Sequence, residues 1–177
     1  MTNTKVICKL TPELDAKRTK RTGLKIEHFQ PRPAERGMNL GDCAIRSACW
    51  ATGEDWESVY KEMQARADRL GRPRQNILKA GTPFSVIKDF YRKRGWTWVP
   101  AVGPMKTTVK TYRSGMTLRD TWQARALFKA ENLPKQLCVA ITTGHAVAVE
   151  DHVVLDSFDS RGDRSCVLQG YFVKKSN

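Results

Sequence analysis

The sequence predicts an α+β protein in which N-terminal helices pack on a C-terminal antiparallel β-sheet. Apolar residues recur at helical spacing in the middle of the chain, whereas the chain after Pro134 consists of short β-rich runs separated by turn residues. Helical segments followed by strand segments are typical of the α+β class. The 177 residues can bury a core of this kind without the support of disulfides or metals.

Capping residues and helical periodicity predict four helices, which begin at Asp42, Asp55, Thr82 and Thr117 and end near Gly53, Gly71, Gly95 and Glu131. Asp and Thr side chains accept hydrogen bonds from the free N–H groups at a helix start, and Pro83 suits a first turn. Glycine readily adopts the left-handed conformation that ends a helix. The fourth helix depends on a capping box, Thr117-x-x-Asp120.

Strands are predicted at residues 96–99, 136–142, 145–149, 152–158 and 166–173. Two of them form a predicted hairpin that carries His145 and Asp156. If Glu150-Asp151 forms the turn, these residues lie directly opposite each other, with Cβ atoms about 5 Å apart. If Asp151-His152 forms the turn, they are diagonal neighbours on the same face. A carboxylate beside an imidazole holds one tautomer and favours the charged ring.

The composition is that of a globular protein, with 40% hydrophobic and 28% charged residues, and it excludes a chain that is disordered throughout. No apolar run approaches the ~20 residues of a membrane span, and the start MTNTKVICKL lacks a signal-peptide core. We therefore expect a cytoplasmic protein without a membrane partner. The five cysteines include no CxxC pair, so we expect no disulfide framework, no structural zinc and no cofactor.

Two regions differ in character along the chain. Residues 1–36 are polar, basic and interrupted by Pro12, Pro31 and Pro33, and they are predicted to form a partly flexible N-terminal arm. Residues 37–177 are predicted to form one folded domain.

Cys43 follows Gly-Asp directly at the start of a predicted helix, in the run NLGDCAIR. The helix dipole and the free backbone N–H groups of that position favour a thiolate. A buried thiol that only packs is the alternative for any cysteine. A cysteine at a helix start, with a later strand histidine and then a carboxylate, is the arrangement that a thiol nucleophile requires. His152 is a rival to His145, but we expect it to be exposed.

The order Gly-Asp-Cys, Gly-His and Asp resembles that of the papain-like cysteine peptidases. The runs GDCAIRSACWATGEDWESVY and GHAVAVEDHVVLDSFDS are similar to small papain-like proteins of bacteriophages and mobile elements, over about residues 37–173. The resemblance implies that Cys43 is the nucleophile, that His145 is the base and that Asp156 orients the base. It also implies a polar side chain upstream of the nucleophile that binds the oxyanion, for which Asn39 is the match.

The resemblance further implies a hydrolase that cleaves peptide or isopeptide bonds, with a polypeptide as its substrate. Transfer to another acceptor and deamidation of glutamine use the same triad and stay open as alternatives. Arg46, one turn after Cys43, is a candidate substrate-binding residue. Its alternative role is a structural ion pair with an acid such as Asp42.

The net charge of +13 supports a second hypothesis, because a strongly basic chain attracts anionic partners. The chain would then be a basic, phage-encoded binding module that holds nucleic acid or a host protein in the host cytoplasm. Solvated faces are the alternative explanation for its basic clusters. The candidate nucleic-acid contacts are Arg72, Arg74, Arg92, Lys93 and Arg94.

The charge is unevenly distributed. Residues 144–163 contain one Arg against five acids, and residues 41–63 contain two Lys+Arg against five acids. Both segments carry the candidate site. We therefore predict a less basic or acidic groove that prefers substrates with Lys or Arg near the cleaved bond.

Overall fold

The computed structural model describes residues 10–37, 40–70, 76–161 and 166–174. These residues form an α+β structure with five α-helices, a mixed six-stranded sheet and a separate two-stranded sheet. In chain order, the helices are α1 (Pro12–Thr22), α2 (Cys43–Thr52), α3 (Trp56–Arg69), α4 (Ile77–Ala80) and α5 (Phe84–Arg92). The strands are β1 (Lys25–His28), β2 (Trp96–Pro100), β3 (Met105–Thr111), β4 (Thr117–Gln123), β5 (Cys138–Thr142), β6 (His145–Glu150), β7 (Val153–Asp156) and β8 (Leu168–Lys174).

The large sheet has the strand order β1-β7-β6-β5-β8-β2. The prediction of a fully antiparallel sheet is wrong at one edge, because β1 runs parallel to β7. The backbone N–H of Lys25 donates to His152, and that of Phe29 donates to Asp156. An edge strand here covers backbone groups of β7 that would otherwise be unpaired. Part of the segment predicted to be an arm therefore belongs to the sheet.

Helix α1 is attached to the loop that follows β7. Thr11 caps the helix by accepting a hydrogen bond from the N–H of Leu14 at 3.3 Å. The fully buried guanidinium of Arg161 donates to Asp15 at 2.7 Å and to the hydroxyl of Thr19 at 2.8 Å. Because charge-assisted hydrogen bonds are strong when they are buried, these contacts tie α1 to the body of the protein.

The first two predicted helices are present, but only the second is capped at its start as predicted. The side chain of Asp42 does not cap α2, because its carboxylate binds Arg46, Arg32 and Trp56 instead. Helix α2 begins at Cys43 and ends before Gly53, which has a φ of 73°. Helix α3 begins after Asp55, whose carboxylate accepts a hydrogen bond from the N–H of Ser58 at 3.0 Å. The third predicted helix corresponds to α5, which begins after Pro83. The short helix α4 was not predicted.

The fourth predicted helix is wrong, because β3 and β4 form an antiparallel hairpin there. Threonines recur along both strands, and Thr107 and Thr121 pair through their hydroxyls at 3.1 Å. Branching at Cβ favours strands over helices, and Gly115 supplies the positive φ of the turn at 81°. The pattern Thr117-x-x-Asp120 caps a helix only where a helix follows, and here cross-strand pairing prevails.

The core lies on both faces of the large sheet. The side chains of Val139 and Ile141 face helices α2, α3 and α5, whereas Cys138 and Ala140 face a second cluster that includes Phe128. All five residues of β5 are buried for this reason, because a strand covered on both faces has no solvated side. No helix within the described ranges is long and apolar enough to cross a membrane.

Substitution of Gly170 by alanine is expected to destabilise the fold by about 1–3 kcal/mol, the usual cost of overpacking. Gly170 lies in β8 beneath the ring of Trp98, and a Cβ there would come within 2.5 Å of the Val99 carbonyl oxygen. Backbone atoms of a paired strand cannot move aside cheaply. Urea unfolding measures the effect, with Gln169→Ala on the same strand as the control. Equal unfolding midpoints for the two variants would contradict the packing argument.

Candidate active site

Cys43 is the first residue of helix α2. The first intrahelical bond runs from the N–H of Arg46 to the carbonyl of Asp42 at 2.9 Å. The N–H groups of the three preceding helical residues, Cys43 to Ile45, therefore have no acceptor within the helix. They form the positive end of the helix dipole beside the thiol, so this helix start favours a negative charge on sulfur or on an oxygen next to it.

The segment before Cys43 is positioned by a close backbone contact. The N–H of Gly41 donates to the carbonyl of Leu78 at 2.7 Å. A Cβ at position 41 would lie 3.2 Å from the backbone nitrogen of Gly81, so glycine is the residue that fits without displacement. This contact sets the thiol-bearing helix start against the Gly81 segment.

His145 begins β6, and Asp156 ends β7. Val149 pairs with Val154, so the turn of this hairpin is Asp151-His152, and both turn residues have positive φ. The second of the two predicted registers is thus confirmed, with His145 and Asp156 as diagonal neighbours. Their side chains meet, because His145 Nε2 lies 2.6 Å from Asp156 Oδ2. His152 lies in the turn, at the opposite end of the hairpin from His145.

The thiol of Cys43 and the ring of His145 line the same pocket and lie close enough for each group to shift the pKa of the other. Since Nε2 faces Asp156, Nδ1 is the ring nitrogen left for the thiol. Burial by itself raises the pKa of the Cys43 thiol, but the nearby ring and charge of His145 and the N–H of Ala146 outweigh burial and lower it. Burial lowers the pKa of His145, but its interactions with Asp156 and Cys43 outweigh burial and raise it. Both shifts favour a thiolate beside an imidazolium.

Two other cysteines behave in the opposite way. Burial raises the pKa of Cys49 and that of Cys138 to about 12, so both thiols stay protonated at neutral pH. Since the thiolate is the nucleophilic form, Cys43 is the activated thiol of these three. Cys49 and Cys138 are buried in the core.

The carboxylate of Asp156 is held on both oxygens. Oδ2 faces His145, while Oδ1 accepts hydrogen bonds from the N–H of Ser157 at 2.7 Å and from Arg46 at 3.1 Å. The residue is only 3% exposed. A buried carboxylate with this many donors has one orientation and fixes the plane of the imidazole that it contacts.

Arg46 joins Asp156 to a second buried carboxylate. Its other terminal nitrogen donates to Asp42 at 3.0 Å, and Asp42 also accepts a hydrogen bond from the indole of Trp56 at 3.1 Å and one from Arg32 at 3.2 Å. Arg46 is 7% exposed and does not line the adjoining pocket. These contacts correspond to the predicted alternative of a structural ion pair rather than to the candidate role in binding substrate.

Phe158 covers the candidate site from the loop after β7. Its ring centroid lies 5.1 Å from that of His145 and 5.9 Å from the guanidinium carbon of Arg46. The ring shields the bond between His145 and Asp156 from water on that side, while about half of its own surface stays exposed. Sequence analysis did not identify Phe158, and its place two residues after Asp156 was the only available signal.

An open pocket of about 410 Å³ lies beside Cys43 and His145. Its walls come from three parts of the fold: residues 80–84 with Ile87, the end of β5 with Ala146, and Gln169 of β8. Sequence analysis missed these walls, because their residues are far apart in the chain.

The described lining residues of the pocket include no Asp, Glu, Lys or Arg. The groove is therefore less basic than the rest of this basic chain, as predicted, but the acidic alternative is wrong. The acids on which it rested have other partners. Asp42 pairs with Arg46, Glu54 with Arg94, and Asp159 with Arg161.

The candidate nucleic-acid contacts differ in their surroundings. Arg92 and Lys93 are exposed and pair with Asp89 at 2.9 and 3.8 Å. Arg94 forms ion pairs with Glu54 and Glu62 and lies over the ring of Phe90, with its guanidinium carbon 3.7 Å from the centroid. Its charge is therefore already neutralised within the fold. The remaining candidate site residues, Asn39, Arg72 and Arg74, lie outside the described residues.

The arrangement brings together a polarised thiol, a charged imidazole and an orienting carboxylate at the wall of an open pocket. Such a set can carry out nucleophilic attack on a carbonyl and proton transfer to a leaving group. In the described parts of the chain, no group of three or more His, Cys, Asp or Glu side chains is placed to hold a metal ion. No family model, no curated protein and no solved structure matches this chain.

Proposed function

We propose that this chain is a thiol-dependent hydrolase on a papain-like scaffold, which cleaves a peptide or isopeptide bond with Cys43, His145 and Asp156. The observation that carries the proposal is the placement of the Cys43 thiol beside the ring of His145, whose Nε2 contacts the buried carboxylate of Asp156 at 2.6 Å. A nucleophile, a base and a residue that orients the base are the parts that covalent acyl transfer requires.

The topology supports the papain-like part of the proposal. The helix that bears Cys43 packs against β5, β6 and β7, and the imidazole and the carboxylate come from two adjacent antiparallel strands of that sheet. The thiol at the helix start therefore faces the edge of the hairpin where His145 and Asp156 meet.

In the acylation step, the thiolate sulfur of Cys43 attacks the carbonyl carbon, a C–S bond forms and the carbonyl oxygen becomes an oxyanion. The free N–H groups at the start of α2 would stabilise that oxyanion, because preorganised donors lower the energy of a developing charge. Asn39 remains the predicted side-chain donor. When the intermediate collapses, the C–N bond breaks and His145 gives its proton to the leaving nitrogen.

In the deacylation step, neutral His145 removes a proton from a water molecule as its oxygen attacks the acyl carbon. The C–S bond then breaks, the acid product leaves and the thiolate of Cys43 returns beside the imidazolium. If an amine replaces water, the same residues perform transfer; if the leaving group is ammonia from a glutamine side chain, they perform deamidation. These acceptors and leaving groups remain alternative forms of the proposal.

The pocket supports a substrate group without charge. Apolar side chains such as Phe84, Ile87 and Ile141 line it, together with the polar Thr82 and Gln169. Apart from Cys43 and His145, which pair with each other, the described lining residues offer a charged substrate side chain no ion-pair partner, and burial of an unpaired charge is costly. We therefore propose an uncharged side chain next to the cleaved bond.

Electrophilic peptide probes test the proposal. The full chain is treated at neutral pH with peptidyl chloromethyl ketones that carry Leu, Gln, Lys or Glu beside the reactive carbon, and adducts are located by mass spectrometry. We expect one adduct, on Cys43, which forms fastest with the Leu and Gln probes. His145→Ala is expected to slow it at least tenfold, in line with the usual contribution of acid–base partners.

Cys49→Ala is the matched control, since it removes a thiol from the same helix whose pKa is raised rather than lowered. It is expected to be labelled like the wild type. Two results would refute the proposed triad. Cys43 would be labelled no faster than Cys166, or the labelling rate of Cys43 would be the same in His145→Ala as in the wild type. A preference for the Lys probe would refute the neutral pocket and leave the triad standing.

A further inference from the structure

The hairpin formed by β3 and β4, residues Met105 to Gln123, is here called the hairpin arm. Every residue of both strands is exposed. At its base, Gly103 crosses the backbone of Ala124 so closely that no side chain would fit at position 103. The strands measure about 23 Å at ~3.3 Å per residue. An exposed two-stranded ribbon of this length is much longer than the tight turn that would be enough to connect Gly103 to Ala124.

The charges of the hairpin arm are mostly of one sign. It carries four basic side chains, Lys106, Lys110, Arg113 and Arg119, against one acid, Asp120. Among the ion pairs of the described residues, none involves these four cations, whereas Arg46 and Arg94 each bind two carboxylates. The hairpin arm therefore presents positive charge that pairs with no carboxylate in the described part of the chain, and such charge attracts an anionic partner.

The register of the hairpin arm places aromatic and basic side chains on one face, which also carries Asp120 opposite Thr108, whereas Arg119 lies on the other face. Lys106 lies opposite Trp122, and Lys110 lies opposite Leu118. Tyr112 continues the same face beyond the end of β3, because residues two apart in a strand point to the same side. Trp122 and Tyr112 are 42% and 46% exposed, although aromatic rings of this size are usually mostly buried.

We infer that the hairpin arm binds single-stranded nucleic acid, with Lys106, Lys110 and Arg113 at its tip on the phosphates and with Trp122 and Tyr112 stacked on bases. Exposed aromatic rings interleaved with cations are the combination that such strands require, because every unpaired base offers a π-face. Paired bases inside a duplex do not. The excess of basic side chains favours a polyanion over an apolar protein surface, and the site lies outside the pocket at Cys43.

Binding is measured with the full chain and a fluorescein-labelled 20-nucleotide oligo-dT, by fluorescence anisotropy between 50 and 300 mM NaCl. In the hairpin variant Lys106→Gln/Lys110→Gln/Arg113→Gln, we expect affinity at 100 mM salt to fall at least tenfold. The slope of log K against log salt should decrease by about 2, since each phosphate contact to a single strand contributes ~0.7. Trp122→Leu should weaken binding about tenfold without changing that slope.

The matched control is Lys88→Gln/Arg92→Gln/Lys93→Gln, which removes the same charge from exposed positions on or next to helix α5. It is expected to keep most of the affinity and of the salt slope. Circular dichroism should show an unchanged fold for both triple variants, because all six side chains are exposed. Cys43→Ala should bind like the wild type, so binding is tested independently of the proposed hydrolase.

Several outcomes would overturn the inference: no binding at 50 mM salt, an equal loss in the α5 control, or full affinity in Trp122→Leu. Tighter binding to a 20-base-pair duplex than to the single strand would also overturn it, because stacked pairs hide their faces. The protein could instead self-associate with increasing concentration and bind no oligonucleotide. If Leu118→Lys abolished that self-association, the partner of this face would be a second copy of the chain.

Discussion

Replacement of Arg46 by alanine is expected to reduce the free energy of unfolding by about 3 kcal/mol or more, the range found when one partner of a buried ion pair is removed. The guanidinium joins Asp42 and Asp156, both almost completely buried. Without it, two carboxylates lose a charged partner in a region that excludes water. Trp56 and Ser157 still donate hydrogen bonds but carry no charge, so Arg32 on Asp42 and His145 on Asp156 supply only part of the compensating charge.

Urea unfolding followed by tryptophan fluorescence measures this loss. Arg92→Ala is the matched control, because Arg92 also pairs with an aspartate, but its side chain is 72% exposed. Exposed pairs contribute little, so this variant is expected to stay within about 0.5 kcal/mol of the wild type. If Arg46→Ala were equally mild, Arg46 would not be a structural residue, and a direct role in binding substrate would become the better explanation.

Alkylation of Cys43 by iodoacetamide is expected to remain fast at pH 6, where ordinary thiols react slowly. The thiolate forms as the pH rises through the pKa of Cys43. Burial raises this pKa, but the effect of His145 is larger and brings it below the usual value for a thiol. A thiol of pKa ~8.5 is only about 0.3% ionised at pH 6. A less basic sulfur is also a weaker nucleophile, so we expect a net gain of about tenfold over N-acetylcysteine in the same tube.

The His145→Ala variant shows in which direction His145 shifts the pKa of Cys43. Without the imidazole, burial dominates and raises the pKa of Cys43, so the alkylation profile should move to higher pH and the advantage at pH 6 should disappear. Hydrolysis should also decline at high pH, when His145 loses the proton that it gives to the leaving group. Its raised pKa places that decline above the usual range for histidine. If the alkylation rate of Cys43 depended on pH in the same way in the wild type and in His145→Ala, the proposed ion pair between Cys43 and His145 would be contradicted.

The proximity of His145 and Asp156 could be predicted because strand geometry repeats every two residues. Any two-residue turn in the hairpin keeps both residues on one face, so the prediction did not depend on choosing between the registers. The choice itself needed the structure, which places Asp151 and His152 in the turn with positive φ. The helix that begins at Cys43 was also predictable, because its apolar residues recur at helical spacing and Gly53 ends it with a positive φ. The side chain of Asp42, by contrast, does not cap the helix start as predicted.

Other features were beyond sequence reasoning because their causes are not local. The capping box at Thr117 was a valid helix signal, but pairing with β3 turned the segment into a strand. The acids near the site suggested an acidic groove, but arginines distant in sequence bind several of them, as Arg94 binds Glu54 across 40 residues. A pattern within a few residues cannot show which distant partner a charge will find.

Three features follow from the amino-acid sequence alone: the α+β order of the elements, the helix that begins at Cys43, and the shared face of His145 and Asp156. Each depends on backbone periodicity or on capping within about one turn of the chain. Three other features depend on tertiary contacts. β1 joins the sheet parallel to β7, Arg46 bridges two buried carboxylates, and the described pocket lining beside the thiol contains no Asp, Glu, Lys or Arg. These features arise where segments distant in sequence meet, and there burial and pairing determine which contacts form.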